Sequence, residues 1–243
     1  PNLIFIGTSK GIYRSDDNLV TWTPLLTTGD IEEIQFHPTN NDIIYLYDSY
    51  YWGSNQNFVL LSDDQGLSYN QSTEIVANLE NRSVHLSVSN DCNNCLYFAS
   101  DNGVWKSTDN GVNYTFLNNP PQGCGGFTVN DLDTSNMIFG YVDIEASMDG
   151  GQTFNQVTSW SLGNTNGSGS GHQISFNTST DYVHADLHPA KCVNGVFYVG
   201  TDGLFSKSMD NGISWENIGQ GVAVRENYKL GVSQSNHYRS ISG

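Results

Sequence analysis

Positive charge is scarce in this chain: nine lysines and arginines stand against 25 aspartates and glutamates, for a net charge of -16. Binding a polyanion needs clustered Lys and Arg that release counterions, so no nucleic-acid partner is expected. Long apolar runs are missing too. No window of about 18 apolar residues occurs, and a helix inserted across a membrane is therefore excluded. The chain opens with Pro1 directly before the strand-like LIFIG and shows no signal-peptide pattern, which suggests a processed or excised polypeptide. Cysteine is limited to four: Cys92 and Cys95 in the turn DCNNC, and the isolated Cys124 and Cys192. A structural zinc site would need a second C-x-x-C, so neither metal nor cofactor is expected. Four cysteines allow three pairings. The turn favours a local Cys92–Cys95 disulfide, and this points to an oxidising compartment.

What the chain does have is one eight-residue sentence written five times: SDDNLVTW from Ser15, SDDQGLSY from Ser62, STDNGVNY from Ser107, SMDGGQTF from Ser147 and SMDNGISW from Ser208. The serines are spaced by 47, 45, 40 and 61 residues, a period typical of propellers and solenoids. Each copy sits among short apolar strands. The third reads RSVHLSVS, CLYFAS, GVWKS, the sentence itself, then NYTFLN. Four strands per unit make a propeller blade, so the fold class is an all-β propeller of four-stranded blades, about five of them in view. The 37% hydrophobic content with only 14% charged residues suits such a turn-rich β chain.

The pattern S-x-D-x-G-x-T/S-aromatic resembles the Asp-box, or BNR repeat, of sialidases, sortilin-type receptors and xyloglucan-degrading glycoside hydrolases, and the resemblance covers essentially the whole chain. In these families the box forms a turn between a blade's two outer strands, away from the ligand face. Asp17, Asp64, Asp109, Asp149 and Asp210 can accept backbone N–H bonds within that turn, as can Ser15, Ser62, Ser107, Ser147 and Ser208. Gly66, Gly111, Gly151 and Gly212 permit positive φ. Trp22, Tyr69, Tyr114, Phe154 and Trp215 are expected to pack into the blade. Copy one departs with Leu19 in the glycine position, and copy three with Asn113 where Thr or Ser is usual. Turn chemistry explains every letter of the repeat, so these aspartates are structural.

Residues 1 to 14 read as the two middle strands of a blade, and YKLGVSQSNHYRSISG reads as two inner strands of another. The expectation is a single propeller domain over 1–243, cut within a blade at both ends and continuous with further blades. GVSQSNHYRSISG and YVHADLHP also resemble stretches of large secreted propeller proteins of Bacteroidota-type bacteria.

Function is expected on the rim opposite the repeated turns, where two loops are enlarged. One is YDSYYWGSNQN, with Tyr50, Tyr51 and Trp52; the other runs from Ser159 to Asp181 and includes Trp160 and His172. Aromatic rings beside Asn and Gln suit a sugar, whose C–H face stacks on rings while its hydroxyls need fixed polar partners; they equally suit loop packing. The motif HADLH, read as a strand, aligns His184, Asp186 and His188 on one face. That spacing permits a metal but favours a polar cluster lining the channel near the ligand rim.

Sialidase chemistry would need three arginines for the substrate carboxylate and a tyrosine with a glutamate partner. The chain has only Arg14, Arg82, Arg225 and Arg239, with no F/Y-R-I-P motif. Two functions stay open. The first is a non-catalytic recognition module, secreted or on the cell surface, that binds glycan or an extracellular protein through this rim. The second is a xyloglucanase-like glycoside hydrolase using a carboxylate pair drawn from Asp48, Asp143, Asp181 and Asp186, about 6.5–9.5 Å apart if it inverts.

Overall fold

The computed structural model describes residues 3–49, 58–75, 83–160, 182–203, 205–219, 230–232 and 240–242. Its regular elements are antiparallel strands. Sheet 1 holds β1 (Ile4–Thr8), β2 (Gly11–Ser15) and β3 (Thr23–Leu26); sheet 2 holds β4 (Ile31–Phe36), β5 (Ile44–Asp48), β6 (Val59–Ser62) and β7 (Asn70–Gln71). Sheet 3 holds β8 (Val84–Ser89), β9 (Cys92–Ser100), β10 (Gly103–Ser107) and β11 (Thr115–Asn118). Sheet 4 holds β12 (Gly126–Val129), β13 (Met137–Gly140), β14 (Ile144–Ser147) and β15 (Asn155–Gln156). Sheet 5 holds β16 (Leu187–Val193), β17 (Val196–Thr201), β18 (Phe205–Ser208) and β19 (Glu216–Asn217), and β20 (Leu230–Val232) pairs with β21 (Ser240–Ser242). The first strands β4, β8, β12 and β16 are neighbours in that order. They form the inner ring, and each sheet runs outward from it as a propeller blade.

All five repeated sentences fold into the same turn, between the third and fourth strands of sheets 2 to 5 and between β2 and β3 of the three-stranded sheet 1. The serine hydroxyl donates to the carboxylate two residues on at 2.8–2.9 Å and accepts the amide four residues on at 2.8–3.0 Å. The carboxylate also takes the amide four residues beyond it at 2.9 Å. Its second oxygen takes the side chain of that residue, a hydroxyl in four copies and the Asn113 amide at 2.7 Å in the third. Asn113 thus does the work of Thr or Ser. These bonds, led by the hydroxyls of Thr21, Ser68 and Thr153, hold Asp17, Asp64 and Asp149 at about 2.

The turn places two successive residues at positive φ, such as Asn110 at 59° and Gly111 at 82°. A side chain at the second position would also collide: a Cβ on Gly111 would lie 2.9 Å from Leu96 Cδ2. Leu19 holds the equivalent position at φ 70°, and its side chain is 54% exposed.

The apolar core is not one block but a series of seams between successive sheets. Tyr69 packs between sheets 1 and 2, Tyr114 between 2 and 3, Phe154 between 3 and 4, and Trp215 between 4 and 5. Each of these four aromatics therefore packs against the preceding sheet. Trp22 corrects the expectation for the fifth: it is 39% exposed, because the described residues provide no sheet on that side of sheet 1. Cys92 and Cys95 are disulfide-linked with Cα atoms 5.3 Å apart, while Cys124 and Cys192 are buried free thiols. Cys124 sits just before β12 and Cys192 near the end of β16, at opposite ends of neighbouring inner strands.

Two expectations follow from this packing. Ser107 is fully buried, and Ser107→Ala would strip the Gly111 amide of its acceptor, lowering unfolding free energy by about 1–3 kcal/mol in urea titration. Glu145 on β14 is 2% exposed with Oε2 unpartnered, and burial, aided by Asp143, pushes it up to about 7. Its folded pKa exceeds the ordinary 4.5, so its contribution is fullest below that pH and is lost as pH rises through about 7. Melting curves from pH 4 to 8 should show this decline, and Glu145→Gln should flatten it.

Candidate functional site

Because consecutive strands run in opposite directions, each sheet's first hairpin and its repeated turn share one rim. The hairpin between the second and third strands, and the linker to the next sheet, share the other. The linking is visible on the turn rim: Asn130 Nδ2 donates to Asn211 Oδ1 at 3.0 Å, and Asp131 accepts the Asn194 and Gly195 amides at 2.8 and 2.7 Å. Carboxylates there are consumed by backbone.

In sheets 2 to 5 an acidic residue stands at or beside the second hairpin on the opposite rim. Asp48 accepts the Asp30 amide at 2.8 Å, Asp101 the Cys124 amide at 2.6 Å, and Asp143 the Trp160 amide at 2.6 Å. Asp143 uses its other oxygen for Gln156 Nε2 at 3.0 Å. Two of the four carboxylates singled out from sequence, Asp48 and Asp143, are thus anchors for linkers.

Between sheets 4 and 5 this rim gathers aromatic and acidic groups. Trp160 meets the His184 imidazole edge to face, ring centroids 5.4 Å apart. His184 lies so close to Gly203 that a Cβ there would come within 2.4 Å of the ring, and its Nδ1 is 3.0 Å from the Ala185 carbonyl. Asp202, beside Gly203, pairs with His188 Nε2 at 2.8 Å. Tyr141, 43% exposed, stands among three carboxylates. The charge of Asp186 and its hydrogen bond, then Asp202 and Asp101, push the phenol pKa up. Beside Tyr141 a cleft of about 580 Å³ opens between sheets 3 and 4, lined by Asp101, Gln122, Asn119 and the Pro120–Pro121 pair among others.

HADLH does not present one face of a strand. Asp186 has φ +62°, β16 begins only at Leu187, and the β16–β17 register shifts between Leu187 and Ala190, where Pro189 has no amide to pair. Alternation is broken there: His184 goes to Trp160, Asp186 to Tyr141 and His188 to Asp202. Among the described residues no cluster of three His, Cys, Asp or Glu is arranged to hold a metal. Tyr50, Tyr51, Trp52, His172 and Asp181 lie outside the described residues. Tyr141, Asp101 and Asp202 were not singled out from sequence, although a signal exists: Asp101 and Asp202 each stand six residues before a repeat serine, Ser107 and Ser208.

Removing the carboxylate charge next to Tyr141 should make the phenol easier to ionise. Asp186→Asn is therefore expected to move one tyrosine's absorbance titration to lower pH, and Tyr141→Phe should delete that transition.

No protein-family model matches this chain. Among curated proteins it is similar to xyloglucanase Xgh74A of Acetivibrio thermocellus, 26% identical over 149 residues, covering 50% of this chain and 18% of the relative. The chain thus spans less than a fifth of that relative's length. Among solved structures it is similar to the GH74 enzyme of Niastella koreensis, with a TM-score of 0.62 and 20% identity over 99% of this chain and 39% of that one. The GH74 xyloglucanase of Xanthomonas campestris superposes with a TM-score of 0.66 and 16% identity, over 97% and 39% of the two chains. A YCF48 structure bound to D1 peptide gives 0.57 and 11%, over 95% and 68%. What these likenesses share with the sheets described above is the β-propeller fold.

Proposed function

We propose that this chain forms part of the glycan-contacting face of a xyloglucanase-like glycoside hydrolase, with Asp186 as one of its carboxylates. The single observation that carries this is the pairing of xyloglucanase relatives with a rim where Tyr141 stands beside Asp186 and Trp160 packs on His184. Aromatic rings take the C–H face of a sugar, and carboxylates take its hydroxyls or supply acid–base chemistry. The aspartates of the repeated turns, which we read as Asp-boxes, are excluded by position and by their spent hydrogen bonds. Asp48 and Asp143 hold linkers, so Asp186 and Asp181 are the remaining members of the set chosen from sequence.

A recognition module without turnover is the second reading, favoured by the commitment of those two carboxylates to backbone amides. In either case the Cys92–Cys95 disulfide suits a secreted or surface-attached protein, built as one propeller domain and meeting glycan or an extracellular protein through this rim.

The test is product release from xyloglucan oligosaccharides, measured together with binding by calorimetry. Turnover that falls on the order of 10²–10⁴-fold in Asp186→Asn while binding persists is the expected result. Binding without any product by the unmodified protein selects the recognition module, and the absence of both overturns the glycan reading.

A further inference from the structure

Tyr141 is tied to the neighbourhood of Asp186 twice, once through the main chain and once through its hydroxyl. It stands in the hairpin after β13, where two successive carbonyls are taken by different sheets: Gly140 O accepts the Gly125 amide and Tyr141 O the Leu187 amide, each at 2.9 Å. The second bond fixes the residue next to Asp186. The ring lies close against Gly125, where a Cβ would come 2.7 Å from Tyr141 Cδ2. No side chain larger than that of glycine fits there without moving the ring.

Three carboxylates act on this phenol, yet one accepts its hydrogen bond. Asp101 is bonded to the Cys124 amide at 2.6 Å and Asp202 to His188 Nε2 at 2.8 Å, whereas the Tyr141 hydroxyl donates to Asp186. Asp186 lies just before β16 with its backbone at φ +62°. Its carboxylate is thus steered by a phenol that is itself held between sheets 4 and 5.

We propose, building on the hydrolase reading above, that Tyr141 is a positioning residue for Asp186 and that its hydroxyl, more than its ring, carries the role. A glycosidase carboxyl group either gives a proton to the leaving oxygen or, ionised, attacks the sugar carbon or takes a proton from water. A carboxylate that already accepts a hydrogen bond from a phenol is arranged for the second kind of work. Its placement matters, because a shift of about 1 Å can cost on the order of 10²-fold in rate.

Tyr141→Phe separates the two parts of the side chain, since the ring stays to meet a sugar while the hydroxyl goes. In the full-length protein acting on xyloglucan oligosaccharides, this variant is expected to lower kcat by about 10–100-fold, with KM and melting temperature unchanged. Asp186→Asn should lose more. Adding Tyr141→Phe to it should cost nothing further, because a hydroxyl that acts only through Asp186 then has nothing left to position. Normal kcat in Tyr141→Phe beside an impaired Asp186→Asn overturns the proposal and leaves the hydrolase reading standing. So does a raised KM with kcat intact, which makes the hydroxyl a direct substrate contact, and so does an equal loss in both backgrounds, which gives the phenol a job of its own. Full turnover by Asp186→Asn, or none by the unmodified protein, removes the hydrolase reading and this assignment with it.

Discussion

A serine hydroxyl held between an aspartate carboxylate and a backbone amide is the interaction on which this architecture rests. The hydroxyl is buried in each of the five copies, so its two bonds are obligatory. They force two successive residues to positive φ and close the turn within a few residues. The aromatic at the eighth position is thereby sent into the seam between its own sheet and the preceding one, where Tyr69, Tyr114, Phe154 and Trp215 act as wedges. Stability is distributed from seam to seam, as in repeat proteins whose units lean on their neighbours.

The same turn decides where chemistry can occur. It draws aspartates, the most numerous candidates for catalysis by count, onto one rim and occupies both their oxygens. On the opposite rim Asp48, Asp101 and Asp143, at or beside the second hairpins of sheets 2 to 4, do a related job for the linkers. Asp101 ties down the end of the connection between sheets 3 and 4, and Asp143 the start of the one between sheets 4 and 5. The chain thus spends most of its carboxylates as backbone acceptors. Asp186 differs: it sits in a left-handed conformation outside the repeated turns and the N–G hairpin turn at Asn194, next to a tyrosine hydroxyl.

Much of this could be read from the order of residues. A serine, aspartate, glycine and aromatic at fixed offsets define a turn through local hydrogen bonds that need no distant partner. The 45-residue period, the third-to-fourth-strand placement of the turn and the Cys92–Cys95 link followed from such local chemistry, whereas Asn113, a departure in the sequence, proved to take the place of Thr only in the structure. Trp22 shows the limit. Its sentence departs from the pattern only at Leu19 and folds into the same turn, yet the burial of Trp22 depends on a neighbouring sheet, which no local pattern records.

HADLH marks the boundary from the other side. Alternating His and Asp read as one strand face, but alternation survives only where the backbone is extended, and the left-handed Asp186 and the amide-less Pro189 send the three side chains to three partners. Tyr141, Asp101 and Asp202 are far apart in the chain and meet because sheets 3, 4 and 5 stand side by side with their second hairpins on one rim. Local hydrogen bonding, acting over a few residues, was determined by the sequence itself. Which carboxylates remain near an aromatic ring was decided only by the stacking of sheets, since that depends on distances between residues some 40 to 60 positions apart.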